Sequence, residues 1–237
     1  MTKNIYNIKI ENQNVKLFTD TKVFIPNLTT FSLIDVFKKF KIKKKIKILD
    51  LGSGSGVIGI FIKKKYKNKV DVYFSDYSIH AVKLINRNIK LNKIKGEVKK
   101  SNIFENWSNE KFDIIVNDIS AIDEKIAKKF WYNKYIPHEC GDSGIELSKK
   151  VILNVKNYLN KKGFLLTPVI SLSNHRTLKK FIDKKFKSKM MLHKDWPVPK
   201  KLYKDNENKY LKNGYIRKVF GVYICFTKIY KIWNKNE

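Results

Sequence analysis

The stretch Ile48-Leu-Asp-Leu-Gly-Ser-Gly-Ser-Gly56 sets three glycines, alternating with serines, behind an apolar run that carries a carboxylate. A glycine loop between a strand and a helix lets backbone N–H groups approach a ligand closely. Asp50 at its mouth narrows the choice of ligand. A carboxylate there repels the pyrophosphate of NAD and suits an ammonium or sulfonium group. Asp76 ends the next apolar run, 20 residues after Gly56, where an acidic side chain grips ribose hydroxyls. The spacing is G-x-G-x-G and lacks the third glycine of G-x-G-x-x-G at its place. Together these features describe a nucleoside bearing positive charge, which is S-adenosylmethionine (SAM).

The elements that position this loop follow from hydrophobic periodicity. Residues 5–26 alternate apolar and polar and predict a β-hairpin. Leu33, Val36, Phe37 and Phe40 predict a helix over 29–40. Strands are expected at Ile46–Leu51, Val70–Ser75, Val98–Ser101, Phe112–Asn117 and Gly163–Ile170. Helices are expected at 56–65, after Ser78 as N-cap, at 122–130, around Leu147, Val151, Val155 and Leu159, and around Leu178, Phe181, Ile182 and Phe186. Two last strands, Lys187–His193 and Phe220–Ile229, follow with no crossover helix between them. The expected fold is therefore α/β: a Rossmann-like, seven-stranded, mostly parallel sheet with helices on both faces and a C-terminal antiparallel hairpin. Residues 1–28 form an N-terminal extension and 29–237 the main domain. An aromatic, charged insertion at 194–219 is expected either to cover a substrate or to anchor a long connection. Trp196, Pro197, Pro199 and Tyr203 are its notable residues, with His193 and Asp195 beside it.

With these elements in place, "ILDLGSGSG" and "YFSDYSIHAVKLINRNIKLN" resemble the first motif and the second-strand acidic motif of class I SAM-dependent methyltransferases. The resemblance spans about residues 29–193. It implies that Asp50, Gly52, Ser53, Gly54 and Gly56 cradle the methionyl part and that Asp76 holds the ribose. It places Tyr77 near the adenine, Asn102 against the adenine amine and Ile103 on the ring, with Asn117 also beside the cofactor. "VFIPNLTTFSLIDVF" and "CGDSGIELSKKVILNVKNYLNKKGFLL" resemble, more narrowly, the release-factor glutamine methyltransferases and related small methyltransferases. That family reads its substrate nitrogen with Asn-Pro-Pro-Tyr after the fourth strand. Here Asp118-Ile119-Ser120-Ala121 occupies those positions, so glutamine methylation does not carry over. Asp118 either accepts a proton from the acceptor or caps the next helix. Ser120 either joins it in the chemistry or holds a turn. His138 and Glu139 are expected to line the entrance or to decorate a surface loop, and His80 to lie on a solvated helix face.

The net charge is +30 over 237 residues, and of 51 basic residues only Arg87, Arg176 and Arg217 are arginine. Arginine is the residue suited to bidentate phosphate contacts. The lysine excess, accompanied by abundant asparagine and isoleucine, is therefore read either as drift in an AT-rich genome or as a surface that attracts RNA or the ribosome. Cys140 and Cys225 offer neither a disulfide framework nor zinc spacing, and no metal is expected. The chain's start lacks the apolar centre of a signal peptide, and the apolar runs are short. A cytoplasmic protein without a membrane partner is the expectation.

The sequence thus predicts methyl transfer from SAM to a nitrogen of a translation-machinery component, protein or RNA. Its alternatives are a small-molecule N- or O-methyltransferase, an NAD-dependent oxidoreductase, and a non-catalytic RNA-binding module on the same fold. The intact glycine motif speaks against the last.

Overall fold

The structure is a computed structural model that describes residues 5–131, 135–136 and 140–235. Its elements in chain order are β1 (Ile5–Ile10), β2 (Gln13–Phe18), α1 (Leu28–Lys38), β3 (Ile46–Leu51), α2 (Val57–Tyr66), β4 (Val70–Asp76) and α3 (Ile79–Leu91). There follow β5 (Glu97–Lys100), β6 (Phe112–Asn117), α4 (Glu124–Trp131), α5 (Glu146–Asn154), β7 (Leu159–Ile170) and α6 (His175–Lys185). The chain ends with β8 (Phe186–Pro197), α7 (Lys200–Tyr203), α8 (Glu207–Asn213), β9 (Arg217–Val219) and β10 (Val222–Asn234).

The main sheet runs β5-β4-β3-β6-β7-β10-β8, with the short β9 pairing β10 as an eighth strand. Strands β3 to β7 are parallel, while β10 is antiparallel to both β7 and β8. The expected C-terminal hairpin is thus present, and β10 inserts between β7 and β8. The central strands are apolar on both faces because helices cover both. Ile46, Ile48, Ile114, Val116 and Leu166 point into one core with α1, α2 and the hairpin. Leu49, Leu51, Ile115, Leu165 and Val169 point into the other, with α5 and α6. Among the described residues no helix is long and apolar enough to cross a membrane.

The N-terminal hairpin is built into this core, since Ile10, Val15 and Leu17 are buried against α2 and α3. Its free edge is closed by two asparagines one turn apart, Asn88 on α3 and Asn92 at its C-cap. Asn88 takes the N–H of Phe18 (2.8 Å) and donates to its carbonyl (3.2 Å), and Asn92 does the same for Lys16 (3.0 and 2.6 Å). A side-chain amide carries both donor and acceptor groups and so replaces a neighbouring strand.

Three local expectations change. Phe186, expected in the last helix, is the first residue of β8, since α6 ends at Lys185. Ser78 stands at the N-cap of α3 but makes no side-chain capping bond. Its backbone N–H instead donates to Asp76 (2.9 Å), which faces the loop. Leu159 belongs to β7, because the helix before it ends at Asn154 and passes through one tight turn. Helix α1 is capped by Asn27, whose side chain accepts from Thr29 and Thr30 while the Thr30 hydroxyl accepts from the Asn27 N–H.

Gly59, inside α2, lets that helix close on β4. A Cβ there would lie 2.3 Å from a ring carbon of Phe74. Alanine normally favours a helix interior over glycine. Gly59→Ala is nevertheless expected to destabilise the fold by about 1–3 kcal/mol through overpacking, read as a lower urea midpoint at unchanged slope.

Candidate active site

The carboxyl ends of β3, β4 and β6 meet at the centre of the sheet. Parallel strands leave a crevice there, where the strand order reverses. The loop after β3 carries Gly52, Gly54 and Gly56, all at positive φ (74°, 53° and 81°). It is tied to β4 by N–H bonds from Gly52 and Ser53 to the Ser75 carbonyl (2.9 and 3.0 Å), and back to β3 by the Ser53 hydroxyl donating to the Asp50 carbonyl (2.6 Å). A Cβ on Gly52 would meet Ile119 at 2.8 Å. Glycine is therefore required for the loops after β3 and β6 to touch.

Three carboxylates stand at these strand ends. Asp50 is fully buried. One of its oxygens accepts from the Gly59 N–H (2.9 Å), and the other, Oδ1, has no partner. Burial, with Asp118 and Asp76 nearby, pushes its pKa to about 8. Asp76 accepts from the N–H groups of Gly54 and Ser78 (both 2.9 Å), and burial raises its pKa too. Asp118 accepts the Thr30 hydroxyl (2.7 Å) and is held by its own N–H to the Leu51 carbonyl (2.9 Å). It is half-buried, and desolvation lifts its pKa to about 7. Asp118 does not cap α4. That task falls to Asp123, whose carboxylate accepts from Lys125 and Ile126 (3.0 and 3.3 Å).

The other expected residues take various positions. Asn117 is buried, donates to the Thr167 hydroxyl (3.1 Å) and accepts from Ile119 (3.4 Å), so its amide shapes the loop after β6. The Ser120 hydroxyl meets the Cys140 sulfur (3.4 Å), which itself donates to the Ile122 carbonyl. Tyr77 is exposed beyond β4, Asn102 is exposed and donates to Glu105 (2.8 Å), and Ile103 is half-buried against the second core. His80 is half-buried and edge-on to Tyr135 (5.9 Å). His138 and Glu139 lie outside the described residues.

The region after β8 packs as a third apolar cluster. Val198, Leu202, Tyr210, Tyr215 and Ile216 bury against Ala121, Ile126, Ile170 and Leu172 at the crevice end of the sheet. Tyr215 donates to Asp123 (2.9 Å), tying this wall to the loop after β6. Trp196 and Asp195 belong to β8 itself, so the inserted segment proper starts after Pro197. Thr30, the hydroxyl partner of Asp118, is a residue that the sequence reading missed. Its signal was the capping-box spacing Asn27-Leu-Thr-Thr30, which places its hydroxyl at the start of α1.

Residues 18–119 match the family model described as methyltransferase small domain. This segment is similar to methyltransferase small domains. The curated ribosomal protein uL3 glutamine methyltransferase of Francisella tularensis is 31% identical over 128 residues, 52% of this chain and 40% of that protein. The release factor glutamine methyltransferase of Lactococcus lactis is 28% identical over 191 residues, covering 78% of this chain and 70% of that protein. Ribosomal RNA small subunit methyltransferase C of Haemophilus influenzae is 29% identical over 154 residues, 60% and 41% of the two chains. The chain thus spans under half of the first and third relatives and over two thirds of the second. Among solved structures, the ribosomal protein L11 methylase of Lactobacillus delbrueckii subsp. bulgaricus superposes with a TM-score of 0.52 at 16% identity, over 85% of this chain and 77% of that one. The small domain's match ends at Ile119, directly after β6 and Asp118.

Proposed function

We propose that the protein transfers the methyl group of SAM to a nitrogen of a translation-machinery component, protein or RNA. The reading is carried by the meeting of Asp50, Asp76 and Asp118 around the glycine loop, with a buried Asp50 oxygen that no protein donor satisfies. Buried polar atoms are almost always hydrogen-bonded, so that oxygen calls for a donor from a ligand. A cation suits it best, because it would also offset the cost of ionising a buried carboxylate. SAM supplies an electrophilic methyl carbon beside such a cation. NAD supplies a pyrophosphate, which this carboxylate repels.

In this reading Asp50 faces the methionyl ammonium, and Gly52, Ser53, Gly54 and Gly56 line the cofactor with backbone. Asp76 reaches the ribose from the position in which it already holds the Gly54 N–H. Tyr77, Asn102 and Ile103 flank the adenine. Asp118 aligns the acceptor nitrogen and takes its proton, as methyl transfer needs alignment and exclusion of water more than covalent catalysis. The relatives' names, which include a ribosomal protein, release factors and ribosomal RNA as targets, support a translation component as acceptor. The small-molecule alternative is favoured by the Asp118-Ile-Ser-Ala121 departure and by the aromatic wall.

The test is incubation of purified protein with methyl-labelled SAM and an extract of the source cells, counting label in protein, RNA and small-molecule fractions. Label confined to small molecules would overturn the assignment. Asp76→Ala is expected to weaken SAM binding by at least about tenfold, the equivalent of ~1.4 kcal/mol, because a ribose contact and the tether of Gly54 are lost together. Unchanged affinity by calorimetry would remove Asp76 from the site.

A further inference from the structure

Strands β9 and β10 form a hairpin whose last pair is Val219 and Val222. The two residues between them, Phe220 and Gly221, have φ of 46° and 82°. Positive φ at both central positions is the type I′ turn, whose natural occupants are asparagine, aspartate and glycine. Phenylalanine is a poor occupant, since its side chain crowds the backbone in this region. The ring also gains nothing from the fold in return: Phe220 is 102% exposed, with Val219 and Val222 exposed beside it at 36% and 51%. Nothing lies within 4 Å of where a Cβ on Gly221 would point. Drift toward AT-rich codons offers no account of the choice, because asparagine is abundant in this chain and would fit the turn. Strain and full exposure at one residue point to a task outside the fold.

The place of the hairpin names the task. Thr227 pairs with Ile170, the last residue of β7. Val222 lies five residues beyond, so the tip projects roughly 16 Å past the crevice end of the sheet. Its base is fixed: Tyr223 packs on Tyr203 (4.2 Å between centroids) and hydrogen-bonds Glu207. Exposed Arg217 and Lys218 precede the tip on the same short strand. Arg217 pairs with Asp195 (2.6 Å), a solvent-exposed bridge that costs little to exchange for a phosphate. An aromatic face with cations beside it is the arrangement that binds single-stranded nucleic acid, by stacking a base and holding its phosphates. The overall charge of +30 draws such a polyanion to the surface.

We infer that the β9–β10 hairpin is a docking finger for single-stranded RNA, with Phe220 stacking on an unpaired base and Arg217 and Lys218 on the adjoining phosphates. The inference rests on the crevice being a methyl-transfer site, whose acceptor nitrogen would then lie on the same RNA.

The test uses the full chain and a fluorescein-labelled, mixed-sequence 12-nucleotide single-stranded RNA, followed by anisotropy at low salt. Phe220→Asn is expected to weaken binding about tenfold, within the range that loss of one stacked base produces. Its melting temperature should stay level or rise, because asparagine relieves the turn, so misfolding does not explain the loss. Phe220→Trp should keep the affinity, and its added tryptophan emission should be quenched by the RNA. Equal affinity of Phe220→Asn and wild type overturns the inference, as does an unquenched tryptophan. If Phe220→Asn lowers labelling of a protein acceptor while RNA binding is unchanged, the finger serves a protein and the inference also falls. SAM calorimetry on the wild type separates the two claims: absent cofactor binding defeats the methyl-transfer reading, whereas the Phe220 comparison judges the finger alone.

Discussion

Asp118→Asn is expected to lower kcat by about 10²-fold or more, in the range of a lost general base, while SAM affinity stays within a factor of two or so of wild type. The argument is geometric. Asp118 is fixed at both ends, by its N–H to the Leu51 carbonyl and by the Thr30 hydroxyl on Oδ2, so its carboxylate holds one orientation beside the glycine loop. Asparagine keeps the shape and the bond from Thr30 but takes no proton. Burial raises the Asp118 pKa to about 7. The group must be ionised to act as a base, so the rate should rise with pH and level off above about 7. In the asparagine variant that limb should vanish. Intact turnover in Asp118→Asn would make the residue a structural one. A fall in rate with the pH limb retained would assign the limb to another group.

Much of the fold is legible in the amino-acid sequence. "IKILDL" and "FDIIVN" give β3 and β6 residue for residue, because a central parallel strand must be apolar on both faces and must end where a loop begins. The order of strands is less legible. That β10 inserts between β7 and β8 depends on a long return across the sheet, which periodicity does not report. The role of α3 is half visible. Ala81, Val82, Ile85 and Ile89 announce its inner face, of which Val82 is only half-buried, but Asn88 and Asn92 are not announced by that pattern. They are buried because they serve the edge of β2, a contact 70 or more residues distant in the chain. Asp118 is visible as a carboxylate after a strand, with cap and base as rival readings. Asp123, five residues later, takes the cap, and Asp118 is held instead by the Thr30 hydroxyl. Thr30 is invisible as a partner because it comes from α1, 88 residues away.

Asp50→Asn is expected to separate stability from cofactor binding in opposite directions. Asp50 is buried, and its pKa is raised from 3.8 to about 8. A raised carboxyl pKa means that the folded state prefers the proton. The stability this contributes is complete below the unfolded value near 4 and is lost as pH climbs through about 8. Asparagine carries no such penalty. The variant should therefore melt close to wild type near pH 5 and above it at pH 8, by at least about 3 °C, the shift that ~1 kcal/mol produces in a chain of this size. Binding should respond in the other direction. A cationic ligand needs Asp50 ionised, so wild-type affinity for SAM should strengthen as pH rises toward 8, with a proton released on binding. Calorimetry in two buffers of different ionisation enthalpy would read that release directly. In Asp50→Asn both the release and the pH slope should disappear, and affinity should fall at least about tenfold for the lost charge contact. A variant that binds SAM as tightly as wild type would show that the orphaned oxygen is a fault line of the fold and not half of a binding site.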